Sequence, residues 1–374
     1  MHVIHKGRRR KFRTVSYLRK SNEIVLIEQR LLPHEFKQIR LKTPQQTAKA
    51  ITGMVVRGAG AIGATAAFGL AQGICAFSGK DLGKLKSHAA KIGHLLKAAR
   101  PTAVDPMNAV NAMLKELESE KTVAAYRKGA IRLAEAFADE DVEHCSAIGE
   151  LGNRLIRKDM KILTHCNAGW LAFVDIGSAT APLYAAKRAG KQIHVYCDET
   201  RPRCQGASLT AWELAQEGVS HEVIPDNAAG HLMQRGEIDM VITGADRVLG
   251  RSGEVTNKIG TYTKAVLANR HGIPFYVAIP LSTIDWELKD GMEIPIEERD
   301  ESETLGAWGI NERGRRSYVR IANQGSHGRN PAFDVTPPEL VTGIITPVGI
   351  MKPTQLWKKR RQLGWKQDQV SSAS

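Results

Sequence analysis

The stretch ILTHCNAGWLA, residues 162–172, marks the point where the sequence pattern of the chain changes. A run of apolar residues typical of a buried strand leads into His165 and Cys166 and is followed by a glycine-containing turn. From Asp159 onward, short apolar strands alternate with helical segments, which predicts a parallel sheet with helices on both faces. Ligands bind such sheets beyond the carboxyl ends of the strands, so a cysteine at a strand exit is a candidate site residue.

Polar residues also follow the other predicted strands of this half of the chain. The strand sequences are KILTH, QIHVYC, HEVIP, DMVIT, PFYVAI and LVTGIIT. The segment 198–205 follows the second of them, Asp226 follows the third and Asp246 follows the fourth. We therefore predict that residues 151–350 form a doubly wound α/β domain with its site at one edge of the sheet.

The preceding half of the chain has a different pattern. Residues 22–50 contain short strand-like runs that lead into a helix. Residues 59–145 show apolar residues spaced three to four apart, interrupted at Pro101 and Pro106, as in consecutive helices. We predict that residues 22–150 form a mainly helical N-terminal domain, which agrees with two domains for 374 residues.

The net charge of +14 is concentrated at the two ends of the chain. Residues 1–20 hold eight Lys/Arg and no acid (+8), and residues 351–374 hold six Lys/Arg and one Asp (+5), so the middle 330 residues carry +1. This distribution argues against a basic nucleic-acid-binding face as the main feature. We describe residues 1–21 and 351–374 as basic tails, expect them to be solvated appendages, and leave polyanion binding through them open.

Composition excludes several other classes of protein. No run of 18 apolar residues indicates a membrane span, and the basic N-terminal sequence has no apolar region of a secretion signal. The five cysteines form no C-x-x-C motif and are odd in number, which favours a reducing cytoplasmic location without structural disulfides. No Cys/His pair has the spacing of metal ligands.

The segment RGAGAIG, residues 57–63, contains a G-x-G-x-x-G motif. A dinucleotide site also requires a second strand before an acid about 20 residues further on, and the segment up to Asp81 continues as helix without such a strand. Glycines that open a helix expose backbone N–H groups at its positive end, and Arg57 adds a charged donor, which favours a phosphate site at Gly58 and Ala59. Close helix packing over small residues is the alternative.

Cys166 is predicted to lie between a strand exit and a helix start, where the helix N-terminus favours the thiolate. His165 is adjacent, so in extended chain its side chain points to the opposite face and it is a poor base for the cysteine. A cysteine-protease pairing is therefore not supported. A buried thiol acting as a small hydrophobic residue is the alternative.

Three further segments contain candidate site residues. Asp246 in DMVITGADRV is either a general acid/base or a helix N-cap. Asn257 and Lys258 could supply polar and cationic contacts, or be solvated loop residues. The dense polar segment 198–214 includes Gln205, and a solvated salt-bridge loop is its alternative. Arg100, taken by itself, is predicted to be a surface arginine.

Taken together, these motifs resemble the methylthioribose-1-phosphate isomerase family over about residues 22–350. The matching segments, in the same order, include RLLPHEF (30–36), RGAGAIGATAAFGLA (57–71), RPTAVD (100–105), HCNAG (165–169), ETRPRCQGASLTAWEL (199–214), GADR (244–247), NKIGTY (257–262), IPFYVAIPLSTID (273–285), IPIEER (294–299) and NPAFDVTPPELVTGIIT (330–346).

This resemblance implies a helical N-terminal domain, a Rossmann-like catalytic domain and a homodimer. It implies interconversion of an aldose 1-phosphate and a ketose 1-phosphate in methionine salvage, without metal, cofactor or nucleotide. The implied catalytic residues are Cys166 and Asp246. The implied substrate-binding residues are Arg57, Gly58, Ala59, Arg100, Gln205, Asn257 and Lys258.

The chain departs from the family pattern at Trp170, where a small residue is common. Trp170 and Phe173 are expected to lie near the C5 substituent and to favour apolar substrates. Related isomerases act on 5-deoxyribose 1-phosphate or ribose 1,5-bisphosphate. Regulatory subunits of the translation-initiation exchange factor share the fold without the matching Cys/Asp pair, so the presence of Cys166 and Asp246 favours an enzyme.

Overall fold

The structure is a computed structural model that describes residues 1–100 and 103–365. Its N-terminal half contains five short strands followed by five helices. The strands are β1 (His2–His5), β2 (Arg8–Lys11), β3 (Val15–Leu18), β4 (Glu23–Ile27) and β5 (Gln38–Leu41), and the helices are α1 (Pro44–Thr52), α2 (Ala59–Ala76), α3 (Leu82–Ala98), α4 (Val104–Leu117) and α5 (Val123–Asn153).

Strands and helices alternate through most of the C-terminal half. Its elements are β6 (Met160–Thr164), α6 (Ala181–Arg188), β7 (Ile193–Asp198), α7 (Ala211–Gln216), β8 (Ser220–Ile224), α8 (Ala228–Gln234), β9 (Met240–Thr243), β10 (Arg247–Leu249), β11 (Val255–Lys258), α9 (Thr261–Arg270), β12 (Phe275–Ala278), β13 (Ile284–Asp285), α10 (Ser302–Leu305), β14 (Gly306–Ile310), β15 (Arg316–Arg320), β16 (Phe333–Thr336), β17 (Gly343–Thr346) and β18 (Gly349–Met351).

Helix α2 is the centre of the N-terminal core. Its sequence of alanines, glycines and large apolar residues allows α1, α3, α4 and α5 to pack closely around it. By length and composition α2 could cross a membrane, but 89% of it is buried inside the fold, as in a core helix of a soluble protein. The long helix α5 extends beyond this core, because Ile148 near its end packs against the C-terminal sheet.

The main sheet has seven strands in the order β18-β17-β12-β9-β6-β7-β8. All its strands are parallel except β18, which forms an antiparallel hairpin with β17. When the six parallel strands are numbered in chain order, they lie across the sheet in the order 3-2-1-4-5-6, which is that of the Rossmann fold. This confirms the predicted α/β class, with a helical N-terminal part and a doubly wound sheet.

Helices cover both faces of this sheet, as the apolar strands predicted. Neighbouring residues of β6 contribute to opposite cores: Ile162 packs with α5, α6 and α7, whereas Leu163 packs with α8 and α9. The chain leaves β6 towards β7 on one side and later returns to β9 on the other. The crevice for a ligand is therefore expected beyond the carboxyl ends of β6 and β9.

A four-stranded sheet, β13-β10-β11-β16, lies beyond the end of β9 and was not predicted from the sequence. Strand β11 pairs with both β10 and β16 in antiparallel register. This sheet matters for the site because it contains Lys258, and Asp246 lies in the connection from β9 to β10.

The two basic ends differ from the expected solvated appendages. Residues 1–21 contain the hairpin β1–β2 and strand β3, and Val3 is buried against the sheet core. Leu356 and Leu363 are buried in the other core of the same sheet. Apolar residues that lie between the charged ones pack both segments against the core of the main sheet, and a count of charges does not detect such residues. Residues 366–374 of the C-terminal segment lie outside the described residues.

We predict that the β1–β2 hairpin stabilises the fold through the buried face that contains Val3 and not through the exposed face that contains Ile4. Val3→Asp places a carboxylate where the side chain is 1% exposed, so it should lower the free energy of unfolding by about 3 kcal/mol or more. Ile4→Asp is the control, since Ile4 is 64% exposed and surface substitutions change stability by about 0.5 kcal/mol or less. Equal urea midpoints for the two variants would contradict the packing of this segment.

Candidate active site

Cys166 lies just beyond β6 in a left-handed backbone conformation, with φ of +64°. That conformation is unfavourable for a residue with a Cβ and persists where surrounding contacts enforce it. Here the Cys166 N–H donates to Thr200 Oγ1 at 2.8 Å, and its carbonyl accepts from Thr210 Oγ1 at 2.7 Å. These two hydroxyls fix the backbone at the strand exit, and the side chain is buried.

The surroundings of the Cys166 thiol differ from the predicted helix N-terminus. A single 3₁₀ turn, Trp170–Ala172, follows the loop, and α6 begins only at Ala181. Burial raises the pKa of the Cys166 thiol, while the charges of Arg57 and Lys258 act in the opposite direction. The expected stabilisation of the thiolate by a helix start is therefore wrong, and the resting group is the thiol.

Arg57 binds the loop that carries the cysteine. Its Nη1 donates to Asn167 Oδ1 at 2.6 Å and its Nη2 donates to the Asn167 carbonyl at 2.9 Å. The same Nη2 lies 4.0 Å from Cys166 Sγ. Two hydrogen bonds from one planar guanidinium fix its orientation, so a permanent positive charge is held beside the thiol.

Gly58 explains how α2 approaches this loop. Its φ is +91°, and a Cβ at this position would overlap the backbone of Ala172. A residue with a side chain would therefore push the start of α2 away from the loop. The N-cap position makes no side-chain hydrogen bond, and the first turn, which begins at Ala59, contains no acid. This arrangement is compatible with the predicted phosphate site, which stays a prediction.

Lys258 and Asn257 occupy β11, where adjacent side chains point to opposite faces. Lys258 is buried, donates to the Ala332 carbonyl at 2.8 Å and lies 4.2 Å from the centre of the Phe333 ring. Burial lowers the pKa of Lys258 to about 8, and the charges of Cys166 and Asp246 oppose this shift. Asn257 instead donates to Thr261 at the start of α9.

Asp246 precedes β10, and its backbone N–H donates to the Thr256 carbonyl at 2.9 Å. It is followed by a strand, so the helix N-cap alternative is wrong. Asp246 lines a small cavity together with Ala59 and Arg100. Arg100 is 13% exposed and lies 3.8 Å from Glu297, so it is not a surface arginine.

Burial lowers the pKa of the Arg100 guanidinium, whereas the carboxylates of Asp246 and Glu297 raise it. The cavity also contains Asp105, which sequence reasoning missed as a site residue. Its carboxyl is buried without a hydrogen bond of normal geometry among the described residues, although the Ser282 hydroxyl is near enough to influence it. Burial raises the pKa of Asp105 to about 6.

Gln205 lines a larger cavity of about 360 Å³, and Arg57 lines it as well. This volume lies in the range of small-molecule sites. The Gln205 side chain is buried and its Oε1 has no hydrogen-bond partner among the described residues. Gln205 directly precedes a π-helical turn, Gly206–Thr210, which leads into α7. A buried amide oxygen without a partner is suited to a ligand donor.

Trp170 and Phe173 do not occupy the predicted position near a substrate. The Trp170 ring is fully buried in the sheet core, where it packs against Trp212 with ring centres 5.9 Å apart. Phe173 packs with Cys145 and Ala172. Neither aromatic residue lines the two cavities, so their positions give no support to the argument for an apolar substrate.

His165, Asp198 and Asp226 form a group in which one ligand atom from each lies within 4.8 Å of the others. The His165 ring nitrogens lie against Asp198 and the Ile259 carbonyl, which leaves neither for the Cys166 thiol. Asp226 accepts backbone N–H groups with both oxygens, and Lys264 lies 3.3 Å from Asp198. Most of the side-chain atoms that could bind a metal ion in this group are therefore already engaged in hydrogen bonds or an ion pair.

Comparisons with known proteins identify the family of the chain. Residues 55–353 match the initiation factor 2 subunit family. The chain is 48% identical to the methylthioribose-1-phosphate isomerase of Brucella anthropi over 359 residues, which cover 92% of this chain and 95% of that protein. It is 50% identical to the protein of the same name from Acidiphilium cryptum, with coverage of 87% and 88%.

The chain belongs to the initiation factor 2 subunit family. Within that family, the resemblance to methylthioribose-1-phosphate isomerases is confirmed by these relatives.

Two solved structures have a similar fold. The 5-methylthioribose 1-phosphate isomerase of Pyrococcus horikoshii is 41% identical with a TM-score of 0.83, covering 95% of this chain and 96% of that one. Subunit delta of the translation initiation factor eIF-2B from A. fulgidus is 37% identical with a TM-score of 0.79, covering 95% and 100%. The fold thus includes both an enzyme and a translation-factor subunit.

Proposed function

We propose that the chain interconverts S-methyl-5-thioribose 1-phosphate and S-methyl-5-thioribulose 1-phosphate, an aldose–ketose isomerisation of methionine salvage. The observation that carries this proposal is the convergence of Cys166 and Asp246 at the exits of β6 and β9, with Arg57 and Lys258 close to the thiol. A thiol, a carboxyl and two cations in one dry region suit the chemistry of a sugar phosphate.

The phosphate is held by the cations and the start of α2. Arg57, Arg100 and Lys258 supply charge, and the N–H groups after Gly58 supply donors at the positive end of the helix dipole. Gln205 adds a polar contact to the substrate, whereas Asn257 faces away from Lys258 and is a substrate-binding candidate from the family resemblance alone. These roles agree with those that the family resemblance implies.

The reaction requires groups that handle protons at oxygen and hydrogen at carbon. Because phosphate blocks the C1 oxygen, the sugar ring cannot open as an ordinary hemiacetal. Asp246 donates a proton to the ring oxygen as the bond to C1 breaks, which contributes about 10²–10⁴-fold in rate. Hydrogen then moves from C2 to C1 and the C2 hydroxyl gives its proton back to the Asp246 carboxylate, so C2 is oxidised to the ketone and C1 is reduced within one molecule, as in an intramolecular oxidoreductase.

Two routes for this hydrogen place different demands on Cys166. In proton transfer, the thiolate removes hydrogen from C2 and returns it to C1. In a hydride shift, hydrogen passes directly from C2 to C1 and the neutral thiol forms a polarisable wall beside the two carbons. Burial of Cys166 favours the thiol, and the two cations beside it favour the thiolate.

The sequence suggested two alternative functions. The same C1–C2 chemistry would serve 5-deoxyribose 1-phosphate or ribose 1,5-bisphosphate. A regulatory role without catalysis is favoured by one observation, the similarity to the A. fulgidus eIF-2B subunit. Our proposal also includes a cytoplasmic homodimer that acts without metal or other cofactor.

Turnover of the three sugar phosphates tests this proposal. Purified protein should convert methylthioribose 1-phosphate faster than the 5-deoxyribose and 1,5-bisphosphate compounds, as measured by the ketose formed. Cys166→Ser and Asp246→Asn should each reduce kcat by about 10²-fold or more, because they remove a group that acts on the reacting atoms.

Circular dichroism and urea unfolding of both variants provide the control for an intact fold. Activity within a few-fold of the unchanged protein in either variant would contradict the catalytic assignment. Turnover of none of the three sugars by the folded, unchanged protein would favour the regulatory alternative instead.

The pH dependence of kcat/KM should reflect Lys258. Because its pKa lies near 8, the side chain is charged below that pH and loses its charge as the pH rises through it. Phosphate binding should therefore weaken and kcat/KM should fall above about pH 8. In Lys258→Arg the charge persists, so the decline should move to higher pH. An unchanged decline in this variant would contradict the role of Lys258.

A further inference from the structure

Glu213 on α7 is a buried acid whose hydrogen bonds are directed largely to the loop after β6. Its Oε1 accepts from Asn167 Nδ2 at 2.9 Å and from the Leu171 N–H at 3.1 Å. Its Oε2 accepts from the Trp170 N–H and from the Tyr184 hydroxyl, both at 2.9 Å. One carboxylate therefore binds three residues of the loop that begins at Cys166.

The loop can reach this carboxylate only because Gly169 has no side chain. A Cβ at Gly169 would overlap Glu213 Oε2. On the same side of α7, Thr210 donates to the Cys166 carbonyl and accepts from Asn167 Nδ2 at 3.1 Å. Thr210 and Glu213, at the start of α7, thus bind the two residues that follow His165, which are Cys166 and Asn167.

Glu213 also determines which way the Asn167 amide points. All four hydrogen bonds at this carboxyl are donated to its oxygens, so it is the amide nitrogen of Asn167 that faces it. The amide oxygen then faces the other way, where it accepts from Arg57 Nη1 at 2.6 Å. If the amide reversed, its N–H groups would face the guanidinium and this hydrogen bond would be lost.

We propose that Glu213 is a positioning residue that, through Asn167, holds the Arg57 guanidinium beside the Cys166 thiol. Glu213 lies outside both cavities and acts through its neighbours rather than on a substrate. The link from Glu213 to Arg57 stands on hydrogen-bond geometry, and only its effect on turnover rests on the proposed function.

The energetics of this acid support a role beyond packing. Burial raises the pKa of Glu213 to about 7, while its four hydrogen bonds oppose the shift. A carboxyl with a raised pKa binds its proton more tightly in the folded state, so its contribution to stability is lost as the pH rises from about 4.5 to 7. At neutral pH the fold therefore carries an acid that costs stability.

The pKa of the Cys166 thiol tests the proposal without relying on isomerase activity. Three charges influence this thiol: Arg57 and Lys258 lower its pKa and Asp246 raises it. Glu213→Gln places a donor against the loop and lets the Asn167 amide reverse, so Arg57 keeps only its hydrogen bond to the Asn167 carbonyl and is held less firmly beside the thiol. The thiol pKa should then rise, as it should in Arg57→Gln.

The measurement is thiolate absorbance near 240 nm against pH, taken as the difference from the same variant carrying Cys166→Ser. Glu213→Gln combined with Arg57→Gln should give no further shift, because both changes remove the same interaction. Asn167→Ala, which removes the link itself, should reproduce the shift if Glu213→Gln does not fold.

Tyr184→Phe is the matched control, since it removes a hydrogen bond from the same carboxylate but none from Asn167. It should lower stability and leave the thiol pKa unchanged. In turnover assays, Glu213→Gln should raise KM about 10-fold and change kcat less. When it is combined with Arg57→Gln, KM should rise no further than in Arg57→Gln alone.

An unchanged thiol pKa in folded Glu213→Gln, or additive shifts in the double variant, would overturn the proposal. If the thiol pKa shifts as expected but the protein isomerises none of the sugars, the positioning role holds and the proposed function fails. If Tyr184→Phe shifts the thiol pKa equally, Glu213 acts through general packing and the proposal is wrong.

Discussion

The pairing of β6 with β9 is the constraint on which the candidate site depends. These neighbouring parallel strands end at the same edge of the sheet, although some 75 residues separate them along the chain. Cys166 follows one strand and Asp246 follows the other, so the strand order brings a thiol and a carboxyl to one crevice. The segment before α2 then adds Arg57 from a distant part of the chain, and β11, which follows shortly after Asp246, adds Lys258.

Burial gives this crevice its chemical character. It raises the pKa of the Cys166 thiol and lowers that of Lys258, so both are driven towards their neutral forms. When both groups are ionised, the negative thiolate and the positive lysine attract each other, which opposes the effect of burial on their pKa values. A dianionic phosphate would shift the balance further by stabilising the charged lysine. The affinity for the phosphate and the state of the thiol are therefore linked through one electrostatic network.

The sequence was sufficient for the sheet, because apolar strands with polar residues at their exits have a direct physical meaning. It located Cys166 and Asp246 on that basis. Periodicity could not show that Glu213 faces the cysteine loop, since a buried acid on a helix looks like a solvated one in sequence. It also could not place Trp170, whose proximity to Cys166 in sequence suggested a substrate contact although the ring points into the core.

The most direct test of the central claim is a crystal structure of Cys166→Ser with methylthioribulose 1-phosphate. The account predicts phosphate oxygens within hydrogen-bond distance of Arg57 and Lys258, and C1 and C2 of the sugar between residue 166 and Asp246. A sugar bound elsewhere, or bound with these carbons out of reach of both residues, would contradict it.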